Sequence, residues 1–178
     1  MAKKWTAIVG ALIGALVLAL PARAADTDTT FTLTAGSLAI SAPASKDLGS
    51  GSTGGGTLSA QLGTVTVTDT RGALLGTWTA SVTSTDFTTG GGTANETIAD
   101  DEVTYWSGAS TASSGTAVFL PGQPLAANAQ ALGASRTAFS ASAIVGNNSV
   151  SWNPTLTVNV PATAVAGTYT GTITHSVA

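Results

Sequence analysis

Residues 65–87, VTVTDTRGALLGTWTASVTSTDF, decide the fold class. Val65, Val67 and Asp69 alternate with threonines, and Trp78, Ala80 and Val82 alternate with Thr79 and Ser81. A two-residue period places one set of side chains on a core face and the other in water, which is a strand pattern and not a helical one. Between the two runs, Asp69-Thr70-Arg71-Gly72 reads as a turn. On this reading the segment is a hairpin, with Asp69 and Arg71 pairing across the turn or capping its backbone. Trp78 then either fills the core or stands partly exposed as a binding platform.

The same period runs outward in both directions. Leu38–Ile40, Val103–Tyr105, Ala117–Phe119, Phe139–Ile144, Val150–Trp152, Leu156–Val160 and Tyr169–Val177 all alternate. So do Phe31–Leu33 and, more broadly, the uncharged stretch Thr29–Ser41. Turn signals separate them: the glycine-rich run 49–56, Gly90–Gly92, Pro121-Gly122, Gly146-Asn147-Asn148 and Ala166-Gly167. Helix is expected only as a single turn near Pro124–Ala131. The fold class expected is all-β, a single antiparallel β-sandwich of Ig-like or Greek-key type.

Composition agrees. The chain has 178 residues, of which 31 are Thr and 18 Ser, and only 8% are charged, against roughly 25% in an average domain. Thr is β-branched and suits the wet face of a pleated sheet without carrying charge. There is no cysteine, which removes disulfide staples and thiolate metal sites. Six basic residues are too few to neutralise a phosphate backbone, so no nucleic-acid partner is expected. A lone histidine, His175, and the lack of a Gly-x-Ser-x-Gly elbow argue against an enzyme. No cofactor is expected. The acidic run Asp100-Asp101-Glu102 after Glu96 reads as a solvated loop, too poor in converging oxygens for calcium. Its carboxylates carry no spacing that would fix a glycosidase pair. Asn95-Glu96-Thr97 and Asn147-Asn148-Ser149 match a glycosylation pattern but read as loop residues.

Residues 1–24 read as a signal peptide: Lys3 and Lys4, an apolar stretch from Trp5 to Leu20, Pro21, then Ala22-Arg23-Ala24. Residues 25–178 then form the one mature domain. That domain holds three basic and nine acidic residues, a net charge of −6. This disfavours anionic lipid as well as nucleic acid. No membrane span is expected once the leader is removed. With neither a lipobox cysteine nor a sortase-type signal, surface retention would be non-covalent or through a partner.

Two segments together resemble the WxL domain of Gram-positive cell-surface proteins. The first is Trp78-Thr79-Ala80, preceded by Asp69-Thr70-Arg71. The second is Tyr169 followed by Ile173-Thr174-His175-Ser176-Val177. Ala80 stands at the first motif's Leu, His175 at the second motif's Trp and Val177 at its final Leu. The resemblance implies a secreted, wall-associated protein bound non-covalently to peptidoglycan or another wall glycan, with other cell-surface proteins as further partners. Trp78, Tyr105, Trp106 and Trp152 are the candidate ligand-binding residues, because aromatic faces beside hydroxyls suit sugar rings. Tyr105 and Trp106 are adjacent in a strand, so one of them should face solvent. Tyr169, Ile173, His175 and Val177 share a face expected to point inward. A different class stays open: a structural subunit of a pilus, coat or extracellular matrix, assembling by strand pairing through Thr29–Ser41.

Overall fold

The computed structural model describes residues 25–178. The expected signal peptide lies outside the described residues. Residues 25–33 carry no secondary structure, and Phe31 and Leu33 are each 86% exposed. Thr34–Ala178 forms a separate compact unit.

That unit is built of antiparallel strands, with helix limited to three single 3₁₀ turns at Ala94–Glu96, Asp100–Glu102 and Ala126–Asn128. A five-stranded sheet is formed by β1 (Leu38–Ser41), β3 (Val65–Ser84), β9 (Arg136–Trp152) and β7 (Ser110–Pro121) in that order. Its fifth strand, β11 (Ile173–Val177), pairs with the far half of β3 on the margin that β1 uses nearer its start. A four-stranded sheet runs β2 (Gly56–Gln61), β10 (Thr155–Val160), β6 (Val103–Trp106), β8 (Gln130–Ala131). A short ribbon joins β4 (Phe87–Thr88) to β5 (Thr97–Ile98). The inner faces of the two main sheets meet in one core. Val65, Val67, Trp78, Val82, Phe139, Ile144, Val150 and Trp152 come from one side and Val103, Tyr105, Leu156 and Val158 from the other. The all-β sandwich read from the alternation is therefore the observed architecture.

The expected hairpin at Arg71-Gly72 is absent. Residues 65–84 are one strand, paired to β9 before and after the presumed turn. The glycine signal is real but acts as a bulge. Gly72 (φ 66°) and Leu75 (φ 57°) take the left-handed conformation, which kinks the strand without reversing it. The expected turn at Gly146-Asn147-Asn148 is likewise interior to β9, with Gly146 at φ 73° and Ala143 at φ 52°. β7 bulges at the same level, between Ser114 and Val118. Three neighbouring strands thus bend together, and the sheet turns a corner. The corner changes which alternate residues face inward. β3 buries Val65, Val67 and Asp69 before it and Trp78, Ala80 and Val82 after it. β9 makes the matching switch between Ala141 and Ile144.

Two further expectations are corrected. The strand expected over 29–41 forms only at Leu38–Ser41, where β3 offers backbone partners from Asp69 onward. The strand expected over 169–177 forms only from Ile173. The Phe87 ring lies against Gly171, and Thr170 keeps a single bridge to Thr88. Among the described residues no helix is long and apolar enough to cross a membrane.

Candidate functional site

The Asp69–Arg71 motif is a brace for the corner. Asp69 is fully buried; its Oδ1 accepts from the Arg71 backbone N (3.0 Å) and Nε (2.9 Å), and its Oδ2 accepts from Nη2 (3.0 Å). Nη2 also reaches the Thr77 carbonyl across the bulge, at 3.1 Å. Asn148 donates to Asp69 Oδ2 at 3.3 Å and accepts from Trp78 Nε1 at 3.2 Å. A buried carboxylate is tolerated because every neighbour is a donor. The Arg71 side chain above all holds the Asp69 carboxyl below its ordinary range. Trp78 is 2% exposed, so it fills the core, and its reading as a surface platform falls away. Asn148, expected in an exposed loop, is buried in this network.

The second motif lies beside the first. β11 pairs with β3 so that Val177 sits opposite Ala80 and His175 opposite Val82. Ile173, His175 and Val177 point inward as expected, each half-buried. Tyr169 is half-buried, and its hydroxyl lies 3.1 and 3.0 Å from the Asn95 and Val165 carbonyl oxygens. The Tyr105 hydroxyl accepts from Trp152 Nε1 at 3.0 Å and lies 3.2 Å from His175 Nε2. Trp152 can only donate. The buried Tyr105 O–H therefore needs an acceptor, and His175 Nε2 is the one in reach. Burial lowers the His175 pKa from 6.5 to about 4 and raises that of Tyr105 above 10.0. Tyr105 and Trp152 are fully buried, and Trp152 stacks on Phe139 with ring centroids 4.9 Å apart. Neither offers a ring to a ligand, which corrects their assignment as binding residues.

Trp106 is the remaining aromatic candidate, and it points the other way. It lies half-buried on the outer face of the four-stranded sheet, opposite Thr155, which is itself opposite Gln61. The next row on that face is Thr104, Thr157 and Ser59. Asn159 and Thr57 follow beyond Thr157 and Ser59. Not one of these side chains is charged. Ser59 and Thr157 share a hydroxyl hydrogen bond of 2.8 Å, and Asn153 donates to Gln61 Oε1 at 3.1 Å. Gly108 (φ 71°) folds back so closely that a side chain there would meet the Trp106 ring at 3.5 Å. The result is one aromatic ring set in a flat field of hydroxyls and amides. The sequence marked Trp106 but not its neighbours. The alternation showed that Thr104 and Thr157 face outward, and only the strand order puts them side by side and brings Thr155 next to Trp106.

Two concavities lie along the margin between the sheets. An open cleft of about 760 Å³ has apolar walls from Leu58, Phe87, Ile98, Val160 and Tyr169, with the 45–53 loop along its rim. A smaller cavity of about 180 Å³ reaches His175 past Leu62, Val65 and Leu156. Among the described residues, no group of three or more His, Asp or Glu side chains converges as a metal site. The chain matches no protein-family model, no curated protein and no solved structure.

Proposed function

We propose that this chain is an exported, non-catalytic cell-surface module that attaches non-covalently to peptidoglycan or another wall glycan. The observation that carries the reading is the outer face of the four-stranded sheet, where Trp106 lies beside Thr155, with Gln61 one strand further, in an uncharged surface. An indole face takes the CH side of a sugar ring, and adjacent hydroxyls and amides take its OH groups. The WxL resemblance supports the same reading through the motif positions Asp69, Arg71, Trp78, Ala80, Tyr169, Ile173, His175 and Val177, which would act as framework while Trp106 makes the contact.

The test is sedimentation of the purified mature protein with isolated Gram-positive cell walls, wild type against Trp106→Ala. Retention should weaken about tenfold, the equivalent of ~1.4 kcal/mol, with the thermal midpoint unchanged. Equal retention of both proteins overturns the assignment of Trp106. Absence of wild-type protein from the pellet overturns wall attachment itself.

A second reading, a pilus, coat or matrix subunit, is favoured by Phe31 and Leu33. These two large apolar side chains of an alternating segment pair with no strand among the described residues. Fibres that form at high concentration, and that disappear when residues 25–35 are deleted, would support it.

A further inference from the structure

We infer that β7 is a self-association edge, across which two copies of this chain pair antiparallel and join their five-stranded sheets into one. The inference is independent of wall attachment and concerns another face of the molecule.

β7 ends its sheet, so its outer backbone groups have no strand partner among the described residues. An unpaired edge is a template for another strand, and proteins usually blunt it with lysine, an inward charge or extreme shortness. Here the edge is twelve residues long. No charged residue occurs between Glu102 and Arg136. The other sheet ends at β8 in only two residues. The irregularities between Ser114 and Val118 are matched in β9 and β3, so they bend the sheet as a whole; a separate one at Ser110/Ala112 and Pro121 mark the two ends of the edge and leave Ser113–Leu120 as its pairing stretch.

Three observations select a second copy as the occupant. The first is charge. The mature chain is acidic overall, so two copies repel wherever acids meet. β7 carries no acid and neither does β9 beside it, so this edge lets the copies approach. The second is the way the sheets are already joined. Cross-strand hydroxyl pairs link Ser59 to Thr157, Thr66 to Ser151, Ser81 to Ser176 and Ser114 to Ser149, all at 2.8–3.0 Å. Thr111 and Ser114 already bond β9, but Ser110, Ser113 and Thr116 are exposed hydroxyls of the same strand, so a second β7 brings the same chemistry in reverse order. The third is apolar area. Val118 and Leu120 are half-exposed on the outer face of β7. A dyad across this edge brings each copy's pair toward the other's. An interface of this kind is isologous and closes as a dimer.

The chain has no cysteine, which makes the test clean. Single cysteines are placed at Ser113, Thr116, Val118 and Leu120, with Leu75→Cys and Phe31→Cys as controls, in the full mature protein under mild oxidation. Covalent dimer should peak at one β7 position, the one facing itself across the dyad, and fall away on both sides, with the controls at background. In parallel, sedimentation equilibrium of wild type should show a monomer–dimer equilibrium. Ser113→Lys/Val118→Lys should weaken it at least tenfold, with an unchanged circular dichroism spectrum and thermal midpoint. A wild type that stays monomeric to millimolar concentration overturns the inference. So does a dimer that cross-links best through Phe31→Cys, which would instead favour the N-terminal segment as the pairing element. Dimerisation that survives the lysine pair also overturns it.

Discussion

Mild acid should destabilise this protein chiefly through one side chain. His175 is neutral in the fold because burial holds its pKa at about 4, against 6.5 for a free imidazole. Between those values the unfolded chain binds a proton that the folded chain refuses. Stability therefore falls as pH falls through this window and is flat above pH 6.5. Each pH unit inside the window costs up to ~1.4 kcal/mol, so the full window costs about 3 kcal/mol. That is a large share of the roughly 5–15 kcal/mol that holds a domain together. The contact at risk is local: protonating Nε2 removes the acceptor of the Tyr105 hydroxyl. Urea denaturation at pH 7.5, 6.0, 5.0 and 4.5 measures the slope. Glu96, whose carboxylate is held below its ordinary 4.5 by hydrogen bonds from Thr93, adds a loss at the acid end of this range, and Asp69, whose depressed pKa starts from 3.8, adds one below it. His175→Gln keeps a polar partner for Tyr105 but should flatten the profile between pH 6.5 and 4.5. As the chain's only histidine, His175 also gives a single imidazole resonance to titrate. A titration midpoint near 6.5, or an unchanged slope in His175→Gln, refutes the reasoning.

Other outcomes follow from the same geometry. Arg71→Met strands the buried Asp69 carboxylate and should cost about 2 kcal/mol by chemical denaturation, less than for a wholly buried pair because Arg71 is partly exposed. Gly115→Ala places a Cβ at φ 79° against the Asn147 carbonyl oxygen and should lower stability by more than ~1 kcal/mol. Trp78→Phe leaves Asn148 Oδ1 without its donor and should cost about 1–3 kcal/mol, with no change in wall retention. Phe31→Ser/Leu33→Ser alters residues already in solvent and should leave the unfolding midpoint unmoved.

Alternation made most of the sandwich legible. Leu156–Val160 and Val103–Tyr105 show which side chains turn inward, and the structure buries Leu156, Val158, Val103 and Tyr105 accordingly. Where glycine meets a short polar residue, the sequence is ambiguous between reversal and bulge. Arg71-Gly72 and Gly146-Asn147 carry the same local chemistry as hairpin turns, and only the pairing of β3 with β9 along both halves distinguishes the two. Adjacent residues Tyr105 and Trp106 were separable in principle, since one must face out. Which one does so depends on His175 and Trp152 arriving from β11 and β9 to meet the Tyr105 hydroxyl. The outer field around Trp106 depends on the order β2-β10-β6, a long-range fact that no local pattern carries.

The corner in the five-stranded sheet has a consequence for how such a chain can change its length. β3 spends nine residues from Asp69 to Trp78 where an even number would preserve the inward face, and β9 makes its own odd step between Ala141 and Ile144. The bend behaves like a reading frame. Removal of one residue from 72–76 would leave an even step of eight, so plain alternation would keep Trp78, Ala80 and Val82 inward and β3 would lose a bulge while β9 kept its own. Removal of two would leave an odd step of seven, which keeps Trp78 inward only with the bulging retained. Length and bulge are therefore coupled at this corner: a change of one residue adds or removes a bulge, and a change of two leaves the bulging as it is.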